Sequence, residues 1–89
     1  MLTVDRVAVV WMSNGIPVRL FWSGERYRVI DTPTPLSAED LIASTWHPTH
    51  LPDWHGWRLT GRSEAGAVHT FDLRQWADDE RWHVVGVYS

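Results

Sequence analysis

Hydrophobic and polar residues alternate most clearly in three short phrases, Tyr27-Arg28-Val29, Trp57-Arg58-Leu59 and Trp82-His83-Val84. Successive side chains of a β-strand point to opposite faces, so each phrase predicts a strand with an aromatic and an aliphatic residue inward and a cation outward. Two phrases share a lead-in, Glu25-Arg26 and Glu80-Arg81. Upstream, Val7 to Met12 is apolar almost throughout and predicts a first strand covered on both faces. Ser13-Asn14-Gly15 marks a turn. Pro17 to Trp22 and Glu25 to Ile30 then form a hairpin around Ser23-Gly24. A two-residue loop places Leu20 opposite Tyr27 and Val18 opposite Val29, with Phe21 opposite Arg26 and Arg19 opposite Arg28 on the other face. A three-residue loop would set Leu20 against Arg26, so the shorter loop is the one that brings the aliphatics together.

Residues 31–56 break the pattern. Asp31-Thr32-Pro33-Thr34-Pro35 cannot be a central strand. Ser37, with Asp40 three residues on, opens a short predicted helix over Ala38 to Thr45, packed through Leu41, Ile42 and Thr45. The chain is irregular again through His47-Pro48-Thr49-His50-Leu51-Pro52. Beyond it, Trp57 to Arg62, Val68 to Trp76 and Arg81 to Tyr88 read as strands, the last two joined by the acidic loop Ala77-Asp78-Asp79-Glu80. The expected fold is mainly β: one domain over 1–89, an antiparallel sheet or partly open small barrel of about six strands, with a helix-containing irregular insertion at 31–56.

Composition narrows the function. A chain of 89 residues has little core, and seven tryptophans offset that, Trp22, Trp57 and Trp82 being the expected core members. Trp11, Trp46, Trp54 and Trp76 are expected at the margin, Trp46 and Trp54 either as an exposed partner patch or as a lid. With no cysteine there is no disulfide, thiolate nucleophile or cysteine zinc site, which fits a cytoplasmic protein. No segment is long and apolar enough for a signal peptide or a membrane span, so no membrane partner is expected. The net charge of −3 argues against non-specific nucleic-acid binding. All eight basic side chains are arginine, a preference that follows from coding bias or from planar, bidentate recognition of carboxylate and phosphate.

The candidate working surface is the outward face of the first hairpin: Arg19, Phe21, Arg26 and Arg28, joined by Arg58, with His83 in the equivalent outward place. Like charges set opposite each other destabilise a sheet, so Arg19 and Arg28 call for a carboxylate, a bound anion or an acidic partner. Phe21 and Arg26 are placed for a cation–π pair. The plainer alternative is a solvated face whose arginines are neutralised by Asp31, Asp72 or the 78–80 loop. A second candidate is His47-x-x-His50-x4-His55, with Asp53 between, a composition seen at metal sites. It lacks a firm fourth ligand, and neither metal nor cofactor is assigned. No nucleophile elbow, phosphate-cradling loop or His-Glu-x-x-His occurs, and His69 and Asp72 point to opposite faces of one strand. The expectation is a non-catalytic module.

The run Ile16-Pro17-Val18-Arg19-Leu20-Phe21-Trp22-Ser23-Gly24-Glu25-Arg26-Tyr27-Arg28-Val29, followed by Trp57-Arg58-Leu59, Phe71-Asp72-Leu73 and Trp82-His83-Val84, resembles a family of small actinobacterial single-domain proteins of unknown function. Its members are built around a Pro-x-Arg-Phe-x-Trp-x-Gly-x-x-Tyr-x-Val core. The occurrence of some members near translesion polymerases and other DNA-damage genes implies a DNA-repair accessory. The resemblance brings no activity, cofactor or catalytic residue, and residues 37–45 and the histidine-rich loop depart from it. The expectation is thus a monomeric binding or adaptor module for an acidic protein or phosphate partner. The alternatives are a single-stranded nucleic-acid binder, a histidine-loop metal protein and a dimerisation subunit.

Overall fold

A computed structural model describes residues 6–37 and 54–89. They form seven strands, β1 (Arg6–Ser13), β2 (Ile16–Trp22), β3 (Glu25–Val29), β4 (Thr34–Ser37), β5 (Trp54–Ser63), β6 (Val68–Trp76) and β7 (Trp82–Tyr88). Two tight turns build the first half. Asn14-Gly15 and Ser23-Gly24 all have positive φ (53°, 77°, 52° and 80°), the backbone of the two-residue hairpin turn whose twist matches its strands. The second turn produces the predicted register: Leu20 faces Tyr27, Phe21 faces Arg26 and Arg19 faces Arg28.

All pairings are antiparallel, in the order β3-β2-β1-β7-β6-β5-β4. A further pairing of β3 with β5, Tyr27 to Ser63 and Val29 to Gly61, closes six strands into a barrel. The barrel is therefore closed rather than partly open. This closing contact joins segments more than thirty residues apart, beyond the reach of local alternation.

The break between β3 and β4 follows from the same geometry. Ile30 donates its N–H to the Thr60 carbonyl (2.9 Å), and Thr34 then faces Arg58. Three residues, 31–33, thus stand against Leu59 alone. The Asp31 carboxylate replaces the missing backbone acceptor by taking the Thr60 N–H at 2.9 Å. Asp31→Ala should cost about 1 kcal/mol in urea unfolding, and Asp31→Asn, which keeps an acceptor, clearly less.

Four expectations need correction. Val18 was expected inside opposite Val29, but it is exposed while Pro17 is fully buried. Trp11 pairs with Arg19 and Met12 with Pro17, so Val18 is the extra residue of a bulge. The bulge turns the proline ring inward, at one of the places in a sheet where proline is tolerated. Nor is β1 covered on both faces: Ala8 is buried and Val10 packs on the core, while Val7, Val9 and Trp11 are about half exposed outside. Ser37, expected to cap a helix, instead ends β4 opposite His55. Residues 38–45, where that helix was expected, lie outside the described residues, as do Trp46, His47, His50 and Asp53. Trp54, expected at the margin, is buried on the outer side of β5, where the Arg74 guanidinium covers its ring at 4.3 Å.

The interior holds Ala8, Leu20, Tyr27, Leu59, Phe71, Leu73, Trp82, Val84 and Val87, with Trp22, Val29 and Trp57 packed against them. The three phrases thus orient as expected. Among the described residues there is no helix, and hence none long and apolar enough to cross a membrane.

Candidate anion-binding face

Closing the barrel aligns arginines from three strands. Arg19 of β2 faces Arg28 of β3, and Arg28 faces Arg62 of β5 on its other side. The same row continues to Trp11 of β1 at one end and Val68 of β6 at the other. The neighbouring row runs Val9, Phe21, Arg26. Arg19, Arg26, Arg28 and Arg62 are all exposed and border an open concavity of about 400 Å³ with Ile30 and Glu64. An adjoining one of about 340 Å³ shares Arg26 and Glu64 and takes in Phe21.

None of the four guanidiniums has an ion-pair, hydrogen-bond or cation–π partner among the described residues. Glu64, at the rim of the same concavity, pairs with none of them, and other carboxylates are engaged elsewhere. Asp31 holds the Thr60 amide. Glu25 accepts the Tyr27 hydroxyl at 3.1 Å, and burial followed by this contact pushes the phenol's pKa up. Asp79, at the far end of β6, binds Arg81 through its backbone N–H (2.9 Å), Nε (3.0 Å) and Nη2 (3.1 Å), and meets His83 Nε2 at 3.0 Å. The Arg81 bonds and then His83 hold the Asp79 carboxyl far below its usual range. The expected Phe21–Arg26 cation–π pair does not form, although the two residues face each other across the strands.

Arg58 does not join the group. It lies four residues from Arg62 on β5, about 13 Å along the strand, and makes a two-pronged bond to Asp72, Nε to Oδ1 at 2.8 Å and Nη2 to Oδ2 at 2.9 Å. Tyr88 donates its hydroxyl to the same carboxylate at 2.9 Å and lays its ring 5.5 Å from the guanidinium carbon. Asp72 faces Gly86 on β7, and the Tyr88 ring lies over that glycine. For this arginine the plainer alternative holds: Asp72 neutralises it.

Partial burial alone would raise the Asp72 pKa, but the bonds from Arg58 and Tyr88 and the charges of Arg58 and Arg74 hold it below the usual range. A carboxylate whose pKa is lower folded than unfolded stabilises above its unfolded value, and that contribution fades as pH falls through the folded value. Wild-type stability should therefore drop below about pH 4. Asp72→Asn should start about 1–2 kcal/mol less stable at neutral pH and lose less on acidification, as read by urea unfolding across the acid range.

Arg62 and Trp11 were not among the residues singled out from the sequence. Arg62 lies in the predicted strand Trp57 to Arg62 with the outward parity of Arg58, so its direction was readable but its neighbours were not. His55, the described member of the histidine series, packs edge-on to Trp82 at 5.5 Å. His69 lies between Tyr27 and Phe71, both 6.1 Å away, on the face opposite Asp72. Comparison of the chain with protein-family models, with curated proteins and with solved structures gives no match.

Proposed function

We propose that this chain is a non-catalytic binding module that holds an anionic partner, through phosphate or carboxylate groups, on the outer face of β2, β3 and the end of β5. One observation carries the reading: Arg28 stands between Arg19 and Arg62 in direct cross-strand register, and among the described residues no carboxylate is ion-paired to any of the three, Glu64 at the rim of the same concavity included. Each such contact costs on the order of 0.5–1 kcal/mol. The barrel does not relieve it internally, although the chain has more acidic than basic residues. A bound anion relieves both contacts together, and planar guanidiniums around one concavity suit the paired oxygens of phosphate or carboxylate. We place the module in the cytoplasm, as a monomer, and as a DNA-repair accessory of the kind that the family resemblance implies.

Calorimetric titration with inorganic polyphosphate tests this. Wild-type protein should bind at low salt and weaken as salt rises. Arg62→Gln should reduce affinity about five- to tenfold, the loss of one charge-assisted contact. Arg58→Gln should leave it unchanged. No binding at low salt, or an equal loss in both variants, would refute the reading.

A further inference from the structure

The partner's class follows from what flanks the arginines, if the anion-binding reading holds. We infer that the face binds single-stranded nucleic acid, with phosphates on Arg26, Arg28, Arg19 and Arg62 and bases on Phe21 and Trp11.

Trp11 is 48% exposed and adjoins Arg19 across the β1–β2 pair, while Phe21 is 38% exposed and faces Arg26. Val9, 52% exposed, extends the apolar strip beside Phe21. The surface therefore carries its exposed aromatic rings on β1–β2 and its cations from β2 across β3 to β5, with the aliphatic Ile30 and Val68 beside the cations. Single-stranded nucleic acid has the same division, a charged backbone along one side and stackable bases along the other. Along β3, Arg26 and Arg28 are two residues and about 7 Å apart, comparable with the distance between successive phosphates of an extended strand. Bases reaching sideways from that line lie over β2 and β1.

An acidic peptide fits less well. Extended peptides gain affinity by adding to a free sheet edge, and β2 and β3 each have strands on both sides. Only side chains are offered here, and the exposed rings would have nothing to stack on. Duplex fits poorly too, since its bases already stack on one another. The net charge of −3 is not an obstacle to a local site, because the charge is unevenly distributed. Asp78, Asp79 and Glu80 follow the C-terminal end of β6, whereas Val68, at its start, lies beside Arg62.

Fluorescence anisotropy with labelled oligothymidylate and oligouridylate, competed by polyphosphate and by polyglutamate, tests the assignment. With up to four phosphates neutralised, log affinity should fall against log salt with a slope no steeper than about −3, and Arg62→Gln should reduce the slope by about 0.7. Trp11→Ala and Phe21→Ala, both surface changes, should each weaken oligonucleotide binding about tenfold and leave polyphosphate binding unchanged. A preference between the two oligonucleotides would tell DNA from RNA as the natural source. If polyphosphate or polyglutamate binds as tightly as the oligonucleotides and the aromatic variants change nothing, the nucleic-acid assignment falls while the anion site stands. If no polyanion binds, both fall.

Discussion

Arg28→Glu should weaken polyanion binding about a hundredfold and, in the same protein, raise stability against urea by about 1–2 kcal/mol. Arg28 is the only one of the four arginines with an arginine directly across from it on both sides. Glutamate at that place turns two repulsive cross-strand contacts into two attractive ones, each worth on the order of 0.5–1 kcal/mol. The same change removes a charge-assisted contact to the ligand and sets a like charge against it, a loss of about 2–3 kcal/mol, which is the hundredfold. The opposite signs are diagnostic. An arginine kept for the barrel's stability would lose stability when reversed, and a merely solvated one would change neither quantity. The stability gain should also shrink with added salt, because these charges are exposed.

Phe71→Ala is expected to have the largest effect on the fold, a loss of about 3–5 kcal/mol. The ring is fully buried, and its neighbours come from three strands: Trp22 of β2 at 5.6 Å, Tyr27 of β3 at 5.0 Å and His69 of its own strand at 6.1 Å. Its edge contacts with Trp22 and Tyr27 span the barrel where β3 meets β5. Truncation therefore removes burial and leaves a cavity under the strand that carries Arg26 and Arg28. Domains of this kind have about 5–15 kcal/mol in total, so a large share would go. Phe71→Leu, which keeps most of the volume, should lose less than half as much. A loss below about 1 kcal/mol for the alanine variant would contradict a single core centred on this ring.

The particular residues show what was legible beforehand and what was not. The β2–β3 hairpin was readable in register from its turn out to the Arg19–Arg28 pair, because a two-residue loop and strict alternation both act within a dozen residues. Val18 was misplaced because its bulge depends on how β1 pairs with Pro17, a constraint absent from the hairpin itself. Arg58 and Arg62 share an outward parity, and only the closure of β3 on β5 decides that Arg62 meets Arg28 while Arg58 meets Asp72. Neutralisation by Asp72, one alternative that the sequence offers, applies to Arg58 and not to the hairpin's own arginines. Trp54 is buried by a long arginine side chain from the next strand, an arrangement that hydrophobic patterning does not encode. Local chemistry thus set the hairpins, and non-local pairing assembled the site.

Whether the arginine row is a binding surface is decided by an NMR titration of isotope-labelled protein with polyphosphate at low salt. Shifts are expected in the side-chain Nε–H signals of Arg19, Arg26, Arg28 and Arg62 and in the backbone amides of β2, β3 and residues 61–63, with Arg58 and Arg81 unmoved on their carboxylates. Shifts centred on Arg58, Arg74 or Arg81 instead, or no shifts at all, would contradict a binding role for the row.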